Sequence, residues 1–164
     1  MYGKKGVEER RSIILLGVVF LLFSCGSTFK AAYSDNDIHA ELEINDNDYV
    51  VLYLMNNTDS TIQIIPDRAY YSNGSYNSVL IPNERRYMFA GTTIPPINVP
   101  PRKYLNQEFV ASKAIKYDKN EFDGISSWAP RSEEKLENAY FDFEYQVNGI
   151  PKHLIFNGPD IKKK

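Results

Sequence analysis

One cysteine and two histidines are all that this 164-residue chain offers to thiol or soft-metal chemistry. A single cysteine excludes a disulfide within the chain. It also leaves carboxylates as the main source of ligands for any metal. No apolar run reaches the roughly 20 residues that a membrane-spanning helix needs. An excess of positive charge is lacking as well: 19 Lys and Arg stand against 21 Asp and Glu. Such a balance argues against a nucleic-acid partner, because phosphate binding calls for a basic surface. Gly-x-Ser-x-Gly, P-loop and His-Glu-x-x-His patterns are all missing, and so are internal repeats and low-complexity tracts.

What is present begins with a basic start, Lys4, Lys5, Arg10 and Arg11, followed by the short apolar stretch Ile13 to Phe23. That order predicts a secretory signal peptide. It ends at the only cysteine. Leu22-Phe23-Ser24-Cys25 resembles the lipobox of bacterial lipoproteins, with Leu22 as its aliphatic residue and Ser24 as its small one, while Phe23 stands where a small residue is usual. The resemblance implies loss of residues 1–24, acylation of the Cys25 sulfur and attachment to a membrane through that lipid. The plainer reading makes Cys25 a buried apolar residue in a signal cleaved elsewhere. Gly26 is not the aspartate that retains many lipoproteins in the inner membrane, so the expected location is the outer membrane of the cell envelope.

After the signal about 140 residues remain, one ordinary domain. Of the charges, four basic and two acidic side chains precede Cys25, leaving 15 basic against 19 acidic, a net of −4. Twelve Tyr and nine Phe, with many Ile, Val and Thr, favour strands. Residues 25–36 read as the lipidated cysteine and a tether, and 37–164 as the domain. Ile38, Ala40, Leu42 and Ile44 alternate with polar residues, a half-buried strand. Tyr49 to Met55 is apolar on both faces, a central strand, and Thr61 to Ile65 is the next. Asn73-Gly74 marks a hairpin. Pro95-Pro96 and Pro100-Pro101 confine their segment to an edge or crossover, before a strand near Tyr104 to Ala111. Lys113 to Trp128 is poorly patterned, and Ser132 to Asn138 suits either a short helix capped by Ser132 or a charged loop. Asn148-Gly149 sets a register that pairs Val147 with Ile150, Tyr145 with Lys152, Phe143 with Leu154 and Phe141 with Phe156. On the other face it opposes Glu144 to His153. The closing Lys162-Lys163-Lys164 reads as a frayed tail.

Many short strands with almost no helix predict an all-β, antiparallel sandwich of about seven strands. The run YVVLYLMNNTDSTIQII (49–65) resembles an early hairpin of small immunoglobulin-like domains of exported bacterial proteins. VPPRKYLNQEFV (99–110) is similar to a later proline-led strand in them. The resemblance implies an immunoglobulin-like sandwich, and with the lipid anchor the expected role is binding or structural support in the cell envelope.

No catalytic constellation and no cofactor site emerge from the residues. His39 and His153 fall on polar faces. Asp35, Asp37, Asp46 and Asp48 come closest to a metal set, but Asp46-Asn47-Asp48 lacks the glycine and glutamate of a calcium loop, so turn chemistry accounts for them. Asp142 and Glu144 share one side of a strand and are the pair that a glycan hydrolase would have to use. Tyr70, Tyr71, Tyr76, Tyr87 and Trp128 are the candidates for a surface that stacks on sugar or contacts protein; aromatics in a sandwich also fill its core. The expected partners are therefore a membrane, through Cys25, and an envelope protein or glycan. The alternatives are a small envelope hydrolase and an accessory subunit of an envelope complex.

Overall fold

The structure, a computed structural model, describes residues 28–45, 49–74, 76–88, 93–118, 121–130 and 133–164. Cys25, Leu22 and Ser24 therefore lie outside the described residues, as do Asp46, Asp48, Ser75 and Ser132. Among the described residues no helix is long and apolar enough to cross a membrane.

Twelve strands are described: β1 (Phe29–Ser34), β2 (Ile38–Ile44), β3 (Val50–Asn56), β4 (Ile62–Asn73), β5 (Tyr76–Pro82), β6 (Ile97–Val99), β7 (Tyr104–Ala111), β8 (Ile115–Asp118), β9 (Glu121–Ile125), β10 (Ala139–Val147), β11 (Ile150–Asn157) and β12 (Lys162–Lys163). A single helical turn, α1 (Glu133–Leu136), precedes β10. Ten of the strands form one antiparallel sheet in the order β11-β10-β4-β5-β7-β3-β2-β1-β12, with β6 on β4; β8 and β9 form a separate hairpin. The sheet curls over because β5 changes partner midway. Its first residues pair with β4, and Leu80 to Pro82 pair with β7. The two halves then face each other across one core, where Leu42, Leu52, Leu54 and Phe109 meet Ile62, Tyr71, Phe143 and Phe156. The rings of Phe109 and Phe143, 5.2 Å apart, span the halves. A smaller cluster, Ile81, Ile94, Val110 and Ile115, packs on the outer side of β5 and β7.

Period-two patterns place their strands as expected. Ile38, Ala40, Leu42 and Ile44 are all buried on β2, and β3 is central, between β2 and β7. The β10–β11 register is Val147↔Ile150, Tyr145↔Lys152, Phe143↔Leu154 and Phe141↔Phe156. Its turn needs positive φ at both central residues, and Asn148 (52°) and Gly149 (77°) supply it.

Four expectations change. The sheet is larger than seven strands, because weakly patterned segments contribute β1, β6 and β12, and β8 and β9 add a separate hairpin. Secondly, the expected tether contains β1: Phe29 and Ala31 alternate into the core and the strand pairs with β2 from Phe29 to Ser34. The C-terminal lysines are not frayed either, since Lys162 and Lys163 pair with Lys30 and Phe29, and the Lys164 N–H donates to the Thr28 carbonyl. Lastly, the strand expected at 61–65 runs on through Pro66 to Asn73. Its ladder with β10 jumps from Phe143↔Ala69 to Tyr145↔Ile64, so residues 65–68 bulge out opposite Glu144. A bulge accommodates Pro66, which has no N–H to give a ladder.

Candidate functional site

The aromatic set expected at the surface divides. Tyr71 is 1% exposed and belongs to the core, edge-on to Trp128 at 5.1 Å and 4.8 Å from Phe141. Tyr76 packs 5.9 Å from Tyr71, and Trp128 is half-buried against the same cluster. These three fill space inside the fold and present no common stacking surface. Tyr70, 45% exposed, points to the opposite side of β4 and stands beside Asp142. The Tyr87 side chain lies outside the described residues.

The open aromatic face is elsewhere. On β3, Val50, Leu52 and Leu54 point into the core, which sends Val51, Tyr53 and Met55 outward. Neighbouring strands add His39, Glu41 and Glu43 from β2 and Tyr104, Asn106 and Glu108 from β7. Register orders these nine side chains in three rows: Tyr104–Met55–His39, Asn106–Tyr53–Glu41 and Glu108–Val51–Glu43. Tyr53 and Tyr104 are diagonal neighbours on adjacent strands, a relation that sets Cα atoms about 7–8 Å apart and lets long side chains touch. They are 37% and 78% exposed. With Met55 and Leu105 they line a shallow groove of about 220 Å³, bordered by His39 and Glu41. His39 Nε2 lies 3.7 Å from Glu41. Two larger clefts have no aromatic among their described lining: one of about 500 Å³ between Leu136, Glu137, Ile161, Lys162 and Lys163, and one of about 490 Å³ walled by charged and amide side chains. Pattern reading missed Tyr53 because a strand apolar on both faces hides which face is outward. Tyr104 carried a signal, since it follows Pro100-Pro101 at the start of a strand that alternates.

The carboxylates considered as catalytic or ligating groups are engaged otherwise. Glu144, nearly covered, accepts two hydrogen bonds from Arg68 Nη1, at 2.9 and 3.0 Å. Removal from water pushes its carboxyl up, but the Arg68 hydrogen bonds outweigh that and leave it below the ordinary range. A carboxyl held ionised in this way is unsuited to act as a general acid. His153 faces Glu144 in register, yet its Nδ1 sits 2.9 Å from Asp142. The expected Glu144–His153 pair is therefore replaced by two others, because the bulge in β4 brings Arg68 over Glu144.

Asp35 belongs to the β1–β2 turn. Its Oδ1 accepts from the backbone N–H groups of Asp37 and Ile38, both at 2.8 Å. Its Oδ2 accepts from the hydroxyls of Tyr33 and Tyr145, both at 3.2 Å. Partial burial raises the Asp35 carboxyl, but the two backbone donors and the tyrosines more than reverse this. Tyr145 is raised well above an ordinary phenol, first by burial and then by the Asp35 charge. Asp37 pairs with Lys152 of β11. Among the described residues no group of three or more His, Cys, Asp or Glu is placed to hold a metal ion.

Comparison with known proteins finds no family model, no curated protein and no solved structure that matches the chain.

Proposed function

We propose that this protein is a lipid-anchored domain of the cell envelope that works by binding, through the outer face of β2, β3 and β7. The observation that carries the reading is the pair of outward tyrosines, Tyr53 and Tyr104, over an apolar groove bordered by His39 and Glu41. Exposed aromatic surface of this kind marks interaction sites on soluble domains. Tyrosine suits them because it combines a large apolar ring with a polar tip. A flat groove with an apolar floor and polar border matches a glycan or a narrow protein segment. The anchor is the lipid expected on Cys25, and the location proposed with it is the outer membrane. The curled sheet suits the immunoglobulin-like sandwich that residues 49–65 and 99–110 resemble, with β1, β6 and β12 added at its margins; that assignment is part of the proposal.

The test uses the full chain, extracted from membranes in a detergent without a sugar headgroup. Intact mass, compared with a Cys25→Ala variant, should show loss of residues 1–24 and added lipid mass that the variant lacks. Envelope glycan fragments and envelope proteins are then titrated against wild type, Tyr53→Ala and Tyr104→Ala. Each substitution should weaken saturable binding by about tenfold or more, equivalent to about 1.4 kcal/mol, with the thermal midpoint unchanged for the exposed Tyr104. Binding that both variants retain in full would sink the assignment of the face. Release of product from a glycan would replace the binding reading with the hydrolase.

A further inference from the structure

We infer that the C-terminal lysines form a membrane-docking corner that lays the anchored domain onto anionic lipid headgroups. The inference rests on the acylation of Cys25 and adds an orientation to it. Only Gly26, Ser27 and Thr28 separate Cys25 from β1. A chain extends at most about 3.6 Å per residue, so Phe29 cannot lie more than about 14 Å from the lipidated cysteine. A tether reaching to residue 36 would have spanned roughly three times as far. The domain must therefore sit against the bilayer by the corner where β1 begins.

That corner is where β12 pairs. Lys163 stands opposite Phe29, Lys162 opposite Lys30, and the Lys164 N–H is bonded to the Thr28 carbonyl at 2.8 Å. The buried Ile161, 4% exposed, pins the segment from behind. Three consecutive exposed lysines are thus fixed beside the point at which the lipid leaves the fold. Among the described residues neither Lys163 nor Lys164 has a carboxylate partner, whereas Lys30 is bound to Glu43 at 2.6 Å. Lys162 donates to the Pro159 carbonyl. The nearest acids in sequence and in the adjoining cleft are Asp160 and Glu137. Lysines on an edge strand also discourage pairing with other chains, but that role does not require them to sit beside the tether.

Charge selects the occupant. The mature chain carries a net −4, so an anionic surface repels most of the domain and attracts this corner. Basic side chains held near an anionic leaflet are drawn to it, and the attraction fades within a Debye length, about 10 Å at 0.1 M salt. A 14 Å reach keeps the lysines close to that range. The register also runs the other way. Phe29, Ile44, Val50 and Phe109 share the row at the tethered end, while Ser34, His39, Met55 and Tyr104 share the row five residues along. At about 3.3 Å per residue, Tyr53, three rows along, lies roughly 10 Å and Tyr104, five rows along, roughly 17 Å farther along the strands, so docking by this corner leaves the tyrosine groove open to the aqueous side.

The experiment uses the lipidated protein in vesicles, with its mass established first. With Cys25 acylated, Asn157→Cys supplies the only free thiol for a fluorescent donor near the corner, and an acceptor is placed on lipid headgroups. Energy transfer should be about twofold greater in vesicles with a quarter anionic lipid than in purely zwitterionic ones, and should fall with added salt. Replacing Lys162, Lys163 and Lys164 together by Gln should reduce transfer to the zwitterionic level, with the thermal midpoint unchanged. Equal transfer in the triple variant and wild type on anionic vesicles would overturn the docking corner while leaving the anchor intact. A mass without lipid on Cys25 would overturn the anchor and the docking corner together.

Discussion

Asn56, with no exposed surface, serves the backbone of two loops at once. Its amide nitrogen lies 2.8 Å from the Ser60 carbonyl and 3.0 Å from those of Val99 and Pro100, while Oδ1 accepts from the N–H and hydroxyl of Thr58 at 2.8 Å. Alanine would strand several of these groups in a dry site, and each such group costs about 1–3 kcal/mol. Asn56→Ala is therefore expected to lower unfolding free energy by about 3 kcal/mol, measured by urea denaturation; a loss below about 1 kcal/mol would show that water replaces the amide. The sequence marks Asn56 only as part of a turn and of an Asn-x-Ser/Thr triplet. Two of its partners, the Val99 and Pro100 carbonyls, lie more than 40 positions away, and local spacing carries no trace of them. Tyr71 is similar: a tyrosine beside Tyr70 looks like half of a surface pair until alternation along β4 buries one and exposes the other.

Strand elements divide by how much of their definition is local. The β10–β11 hairpin was legible to the residue because alternation and an Asn-Gly turn fix the same register independently. β4 was not, since Pro66 reads as a break when only neighbours in sequence are considered, and the bulge that absorbs it shows only in the ladder with β10. β1 and β12 are margins of the sheet, where short strands hold few apolar positions. Two glycines at the ends of β11 yield a paired prediction. Gly149 has φ +77° and open space where a Cβ would go, so Gly149→Ala pays only backbone strain, about 1 kcal/mol. At Gly158 a Cβ would lie 1.5 Å from the Leu136 carbonyl oxygen, and α1 would have to move off the sheet. Gly158→Ala should cost about 3 kcal/mol or more. Thermal unfolding of the two variants side by side checks the order; a reversal would mean that α1 yields freely.

A curled sheet has to bring its margins together, and here the β1–β2 turn meets β10 and β11. Asp35 binds Tyr145 of β10 and Asp37 binds Lys152 of β11, closing the sheet on itself with side chains where no ladder runs. The closure is ionic and therefore depends on pH. Asp35 is held below its ordinary range in the fold, so its contribution is complete above the unfolded value of about 3.9 and is lost as pH falls through the lower, folded one. Tyr145 is held above its ordinary range; its contribution is complete below about pH 10 and is lost as pH rises through the folded value. Asp35→Asn keeps the shape of the turn and removes the charge. At pH 7 it should cost on the order of 1 kcal/mol, and the gap from wild type should narrow as pH falls from about 4 through the lower folded value, because the wild-type carboxyl takes up its proton first in the unfolded chain and then in the fold. Glu144 titrates in both proteins and cancels in the comparison. A gap that stayed constant from pH 7 to pH 3 would mean that the turn holds by packing of Tyr33 and Tyr145 alone. The sheet would then be closed by its core.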